Sequence, residues 1–414
     1  MTPLVFWASA GLIAETYVAF PVAVAARGRW RPRPHHSAPV TPTVTVVVAA
    51  HDEEAGIGAK LRSVLAADFP ADRLDVVVAS DGSTDATVAH ADVGDPRVRV
   101  LDLPRLGKAG ALNAAVAAAT GEVLVFTDAN SRFTPSTIAE LVAPFADPAV
   151  GGVAGDQRYE ADGSGGAIEG ERRYWDLDRR LKAAESRAGN VISATGALYA
   201  VRRELVDEVP DGVTDDFTTS TGVIARGHRL VFAPRAAVYE PVAPSADAEF
   251  RRKVRVMTRG LQAVAHRRAL LDPRRHGFYA VQLVHHKVLR RLMALPLATL
   301  LVASVGCRRR GPLYRLALAG QAGVYVPAAV GLLWPDSRLG RSRPCGLAAY
   351  FCLVNAAGVV AAGNVATGRR IDRWTPERAT PAPAPEPNVA AAPAPVTAAA
   401  TATVEPVEPT PVAS

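Results

Sequence analysis

The stretch "GEVLVFTDANSRFTP", residues 121–135, runs an apolar strand-like segment straight into an acidic turn, Asp128-Ala129-Asn130. A short apolar run rich in β-branched and aromatic residues reads as a strand buried on both faces. Oxygen-bearing side chains one residue apart at its end suit a hard divalent cation. Asn130 supplies an amide oxygen but no charge. The competing reading is a polar turn that only closes a strand.

Outward from this stretch, similar runs recur at 44–50 (VTVVVAA), 74–80 (LDVVVAS), 97–101 (RVRVL) and 150–155 (VGGVAG). Between the first two, Ile57, Leu61, Val64 and Leu65 repeat at helical spacing, and AGALNAAVAAA (109–119) is rich in strong helix formers. Alternating strands and helices are the signature of an α/β fold with a parallel sheet. Ligands of such sheets bind at the carboxyl ends of the strands. HDEE (51–54), SDGSTD (80–85) and TDAN (127–130) are therefore expected to converge on one crevice.

Each motif has a plain reading beside its chemical one. In SDGSTD, Asp81 is suited to accept hydrogen bonds from a base or ribose, or it simply shapes a turn. LGKAGALNAA (106–115) opens a helix whose first amides, with Lys108, face an anion, or it is a loop with an exposed lysine. VTDDF (213–217) sets Asp215 beside Asp216, a pairing that pushes one pKa upward and suits a general base, or caps a helix. FRRKVRVMTRG (250–260), with Arg252 and Arg255, reads alone as a membrane-surface basic patch, and EGERRYWDLDRRLKAAESRAGN (169–190) as a solvated or membrane-surface helix.

The chain has 414 residues, 49% hydrophobic and 21% charged, with a formal net charge of +7. That leaves room for a soluble domain of about 230 residues together with membrane segments. The arginines collect beside apolar stretches, the distribution of a positive-inside membrane protein rather than of a nucleic-acid binder. Residues 3–26 are long enough to cross a bilayer and lead into RGRWRPRPHH, the charge order of a retained anchor with its C-terminal flank in the cytoplasm. Glu15 within this span is expected to face another helix or the interface. Cys307, Cys345 and Cys352 form neither a disulfide framework nor a zinc site. Two or three apolar segments after residue 279 are expected to span, with 292–306 lying in the interface. Residues 379–414, mostly Ala, Pro, Thr, Val and Glu, cannot bury a core and read as a disordered tail.

Taken in order, these motifs resemble a known family. Residues 44–260 are similar to the catalytic domain of family 2 inverting glycosyltransferases of the GT-A fold, in the membrane-embedded branch of hyaluronan, cellulose and poly-N-acetylglucosamine synthases. VTVVVAAHDEE, SDGSTDAT, LGKAGALNAA, FTDANSRFTP and SATGALYAVRREL follow in family order, with Asp52 where an asparagine is usual. VTDDF stands where the family has Thr-Glu-Asp. RRKVR stands where it has Gln-x-x-Arg-Trp, with Arg252 for the glutamine and Val256 for the tryptophan. HHKVLRRL (285–292) and RRIDRWTPER (369–378) resemble the membrane-proximal ends of the branch.

The resemblance implies an α/β, Rossmann-like GT-A domain over 44–278. An anchor would precede it over 1–30 with a linker over 31–43; interfacial and transmembrane helices would follow over 279–368, and a cytoplasm-proximal segment and tail over 369–414. It implies a sugar moved with inversion from a nucleotide diphosphate donor, UDP-linked, to a glycan or lipid-linked acceptor, at the plasma (inner) membrane with the catalytic domain cytoplasmic. Asp52, Glu53 and Asp81 would hold the nucleoside, Lys108 would sit near phosphate, and Asp128 with Asn130 would hold Mg2+ or Mn2+. Arg252 and Arg255 would neutralise the leaving diphosphate, and Asp216, beside Asp215, would be the base. Tyr199 and Gly196 would frame the acceptor. Asn130 weakens the expected cation site, and Val256 removes an aromatic platform for a growing chain. A non-catalytic nucleotide-sugar-binding membrane protein is the alternative; too few spans remain for a repeat-built transporter.

Overall fold

The computed structural model describes residues 2–159, 178–240, 246–369 and 371. Most of the 369–378 cluster, the first part of the 169–190 segment and the whole 379–414 tail lie outside them.

Eight strands among the described residues form one sheet: β1 (Val44–Ala50), β2 (Leu74–Asp81), β3 (Val98–Leu103), β4 (Val123–Asp128), β5 (Arg132–Phe133), β6 (Val150–Tyr159), β7 (Tyr199–Arg202) and β8 (Arg229–Glu240). Their order is β3-β2-β1-β4-β7-β6-β8-β5. β3, β2, β1 and β4 run parallel, as the alternating pattern predicts. The second half departs from a purely parallel sheet: β7 is antiparallel to both β4 and β6, and β5 to β8. β7 is four residues long and lies in VISATGALYAVRREL (191–205), a segment that reads from sequence as a small-residue loop or strand.

Period-two alternation sorts each strand's side chains onto two buried faces. Val46, Val48, Val76, Val78 and Val125 pack with Ile57, Leu61, Ile138 and Leu141 on one face. Val47, Ala49, Val77, Leu124 and Phe126 pack with Ala111, Leu112, Phe217 and Leu230 on the other. Burial on both sides is why these strands read as continuous apolar runs.

Three helices among the described residues are long and apolar enough to cross a membrane: Thr2–Trp30, Pro312–Leu333 and Arg343–Ala366. A bent pair, Phe278–Leu292 and Ala294–Cys307, meeting at 56°, is a further candidate. Leu4, Leu295, Val302 and Leu316 lie at least 70% exposed, a surface water would not tolerate over such an extent. The bent pair runs antiparallel to the first helix. Arg27 lies over the Phe278 ring at 4.6 Å, Ser9 Oγ meets Thr299 Oγ1 at 2.8 Å, and a Cβ on Gly306 would lie 3.1 Å from Thr2. The segment read as interfacial is thus paired with the N-terminal helix. That helix also docks on the domain, where Phe20 and Val24 pack with Ala184.

Candidate active site

The crevice forms where the neighbours of β1 diverge, with β2 on one side and β4 on the other. Asp52, just past β1, has φ +50°, a left-handed conformation that aspartate tolerates better than most residues. Its Oδ1 accepts from Thr84 N–H at 2.7 Å, its N–H donates to Ser83 Oγ at 3.0 Å, and Glu53 N–H donates to Thr87 Oγ1 at 2.6 Å. HDEE and SDGSTD are therefore stitched into one rim.

Asp81 is fully buried and accepts from Arg105 Nη1 at 2.8 Å, Leu106 N–H at 2.6 Å and Gly107 N–H at 2.8 Å. Both carboxylate oxygens hold the loop that opens the helix Gly107–Ala118. Gly82 makes this turn possible: its φ is +59°, and a Cβ there would lie 2.9 Å from Arg105 N.

Lys108 sits at the centre. Its ammonium is 3.0 Å from Asp128 Oδ1 and 3.3 Å from Asp215 Oδ2. Burial would lower its pKa, but Asp128, Asp215 and Asp216 outweigh burial and hold it well above the ordinary lysine range. The TDAN turn is pinned from beneath by Lys60, which is 1% exposed and donates to Thr127 Oγ1 at 2.7 Å and Ser131 Oγ at 2.9 Å. Gly196 lets Asp128 approach: a Cβ there would lie 3.3 Å from Asp128 Oδ2. Asn130 is exposed in the turn.

Asp215 and Asp216 occupy the first turn of the helix Asp215–Ala225; the capping position is Thr214, with no side-chain cap hydrogen bond, so the pair stands side by side without being the cap. Burial and then the Asp215 charge push the Asp216 carboxyl upward, opposed by Lys287, the Phe217 N–H and Lys108. Arg252 donates to Glu249 Oε2 at 2.7 Å, and Arg255 follows it by three residues on the same side of the helix Ala246–His266. Val256 is 43% exposed. Tyr199 does not frame an open site: it is 1% exposed and stacks on Phe126, with ring centroids 4.7 Å apart.

Lys60 and Glu240 escaped the sequence reading. Glu240 ends β8 and is buried, and the Gln157 side-chain amide donates to it. Burial and then the negative charge of Asp128 push its carboxyl up to about 7, against Arg252, the Gln157 hydrogen bond and Lys60. The available signal was an acid at a strand end, as in TDAN. β8 hid it because Phe232 pairs with Ala154 and Ala237 with Asp156, leaving residues 233–236 out of register and the apolar run broken.

Among the described residues no three His, Cys, Asp or Glu side chains gather into a ready-made metal cage. The donor set still suits a hard cation. Asp128 has a 35% exposed side chain, Asn130 adds an amide oxygen, and Glu240 is a second carboxylate whose ionisation Asp128 opposes. One or two carboxylates completed by substrate phosphate is a common arrangement for Mg2+.

Residues 45–209 match the family model for glycosyl transferase family 2. The chain is 28% identical over 185 residues to the β-monoglucosyldiacylglycerol synthase of Synechocystis sp., covering 42% of this chain and 39% of that protein. It is 27% identical over 233 residues to an N-acetylglucosaminyltransferase of Rhizobium meliloti, covering 52% and 54%. It is 24% identical over 223 residues to the poly-β-1,6-N-acetyl-D-glucosamine synthase of Staphylococcus aureus, covering 51% and 53%. The chain thus spans about half or less of these relatives. Among solved structures, the mannosyltransferase PcManGT of Pyrobaculum calidifontis, in complex with GDP-Man and Mn2+, is 26% identical. It superposes with a TM-score of 0.68 over 88% of this chain and 100% of that one.

Proposed function

We propose that this chain, in which residues 45–209 form a family 2 glycosyltransferase domain, is a membrane-bound inverting enzyme that moves a sugar from a nucleoside diphosphate sugar to a glycan or lipid-linked acceptor. The observation that carries the reading is the bridge from Lys108 to both Asp128 and Asp215. It joins the phosphate side and the base side in one constellation 3.0–3.3 Å across each contact.

Asp52, Glu53 and Asp81 form the nucleoside side, with Asp81 acting through the Arg105–Gly107 loop that it holds. Lys108, in the first turn of the helix Gly107–Ala118, faces the diphosphate. Asp128, Asn130 and Glu240 would hold a divalent cation, which when bound supplies positive charge to the diphosphate. Arg252, whose charge acts on Glu240, and Arg255, one turn on in the helix Ala246–His266, would neutralise the charge that grows as the bond from the anomeric carbon to phosphate oxygen breaks. Asp216 takes the proton of the acceptor hydroxyl as its oxygen attacks the opposite face of that carbon, which inverts it. An upward-shifted carboxyl is a stronger base than an ordinary one, and burial, then the Asp215 charge, push Asp216 that way.

The apolar helices, and the arginines in the last turn of the first of them, Arg27 and Arg29, and just beyond it, Arg31 and Arg33, support a multi-pass protein with its domain on the cytoplasmic side. UDP-linked donors are our reading from the motifs; the solved mannosyltransferase holds GDP-Man, so both nucleotides belong in the test. A non-catalytic binding protein is the second reading. It is favoured by the way Arg105 and Lys108 already satisfy Asp81 and Asp128.

The test is nucleotide release by detergent-purified full-length protein across UDP- and GDP-sugars, with candidate acceptors, with and without Mn2+ or Mg2+. Cation-dependent release that Asp216→Asn abolishes supports the transferase. Donor binding without release for any donor and acceptor supports the binding protein.

A further inference from the structure

Three consecutive residues of the helix Phe278–Leu292, all in its π-helical turn Val284–Val288, address three different parts of the molecule. Successive side chains on a helix point about 100° apart, so adjacent residues naturally face different neighbours. His285 Nε2 lies 2.9 Å from Glu15 Oε1, and its ring stacks on Phe20 at 5.0 Å. Its Nδ1 lies 2.7 Å from Val281 O, so both ring nitrogens face acceptors. Glu15 itself begins the other π-helical turn, Glu15–Ala19, of the first membrane-length helix. Such turns are rare and cluster at functional sites.

His286 Nδ1 lies 3.0 Å from Oε1 of the fully buried Glu185, whose Oε2 accepts from Ile192 N–H at 3.0 Å. Lys287 Nζ lies 5.9 Å from the centroid of the Phe217 ring, the residue directly after Asp216. Lys287 and Lys108 draw the Asp216 carboxyl downward, against burial and the Asp215 charge. The Phe217 N–H also faces Asp216, the Tyr199 hydroxyl lies within its field, and Arg291, Asp178 and Lys182 face Lys287.

We propose that Lys287 is a positioning residue for the acceptor-side acids, keeping Asp216 a placed and charged base, and that the first membrane helix holds it there through Glu15 and His285. The inference rests on reading Asp216 as the base. It explains why a carboxylate sits within an apolar helix: Glu15 anchors the turn that carries Lys287. The membrane bundle and the chemistry are then coupled, and loosening the bundle lowers the base's readiness without touching the donor side.

The experiment compares full-length wild type with Lys287→Met and Lys287→Arg, reading pH profiles of kcat and of KM for the donor. Lys287→Met moves the acidic limb of kcat up by about one pH unit, hence roughly tenfold less turnover on the low-pH side, with a loss that shrinks as pH rises. Donor KM stays near wild type, and Lys287→Arg restores the limb. His285→Gln and Glu15→Gln shift the limb in the same direction by less, which keeps the test alive if Lys287→Met fails to fold. A uniform loss at every pH that parallels a fall in melting temperature overturns the inference. Asp216→Asn separates the two ideas: if it is inactive while the Lys287→Met limb is unmoved, this inference alone falls, whereas turnover by Asp216→Asn removes the base reading beneath it.

Discussion

The Lys108 ammonium lies 3.0 Å from Asp128 Oδ1, tying the end of β4 to the first turn of the helix Gly107–Ala118. Asp215 takes the same ammonium at 3.3 Å, so removing the charge leaves acids facing one another. Lys108→Met is expected to lower turnover on the order of a hundredfold, the usual cost of losing a preorganised charge beside the reacting group. It is also expected to cost about 1–3 kcal/mol, from the acids left uncompensated. Initial rates and chemical unfolding of the same preparation check both; unchanged rates would refute the central role given to Lys108.

Cation dependence separates Asn130 from Glu240. Asn130→Asp adds a negative charge where the turn is exposed, and half-saturation by Mn2+ should fall several-fold. Glu240→Gln should raise it, because the second carboxylate beside Asp128 is lost. Calorimetric Mn2+ titration of the purified protein reads both, and chelation should abolish turnover of the wild type.

The upward shift of Asp216 has a signed consequence for stability. A carboxyl raised in the folded state contributes stability that is fully present below its unfolded value, near 3.8, and is lost as pH rises through the elevated folded value. Asp216→Asn removes that loss. The variant should therefore melt higher than wild type at pH 7–8 and close to it near pH 4, while turning over no donor. A lower melting temperature at neutral pH would show that Asp216 is structurally required.

Two glycines should respond differently to alanine. Gly82→Ala places a Cβ at φ +59° and 2.9 Å from backbone, so it should cost about 1–3 kcal/mol and displace the loop that Asp81 holds. Gly196→Ala meets the Asp128 carboxylate first, at 3.3 Å, with no positive φ to strain it. It should leave the melting temperature nearly unchanged while reducing kcat/KM several-fold. Thermal unfolding and donor kinetics on the pair distinguish the two effects.

What the sequence by itself determined is the local and periodic part: the β1, β2 and β4 runs, the helices Ile57–Leu65 and Gly107–Ala118, and polar motifs at the strand ends. Two-faced burial and helical spacing write these directly into the order of residues. It also placed the first membrane-length helix and expected Glu15 to face another helix or the interface; of the two, Glu15 meets His285 of another helix. Only the tertiary structure decided which charges meet. Lys108 finds Asp215, and Glu240 comes under the field of Asp128, across more than a hundred residues of chain. Lys60 turns inward from a helix to hold two hydroxyls, and Lys287 reaches Phe217 from a segment that reads as membrane-proximal. The antiparallel direction of β7 and the interruption of β8 were hidden for the same reason. Their pairing comes from neighbours across the sheet, and charge pairing likewise depends on distances that no local pattern encodes.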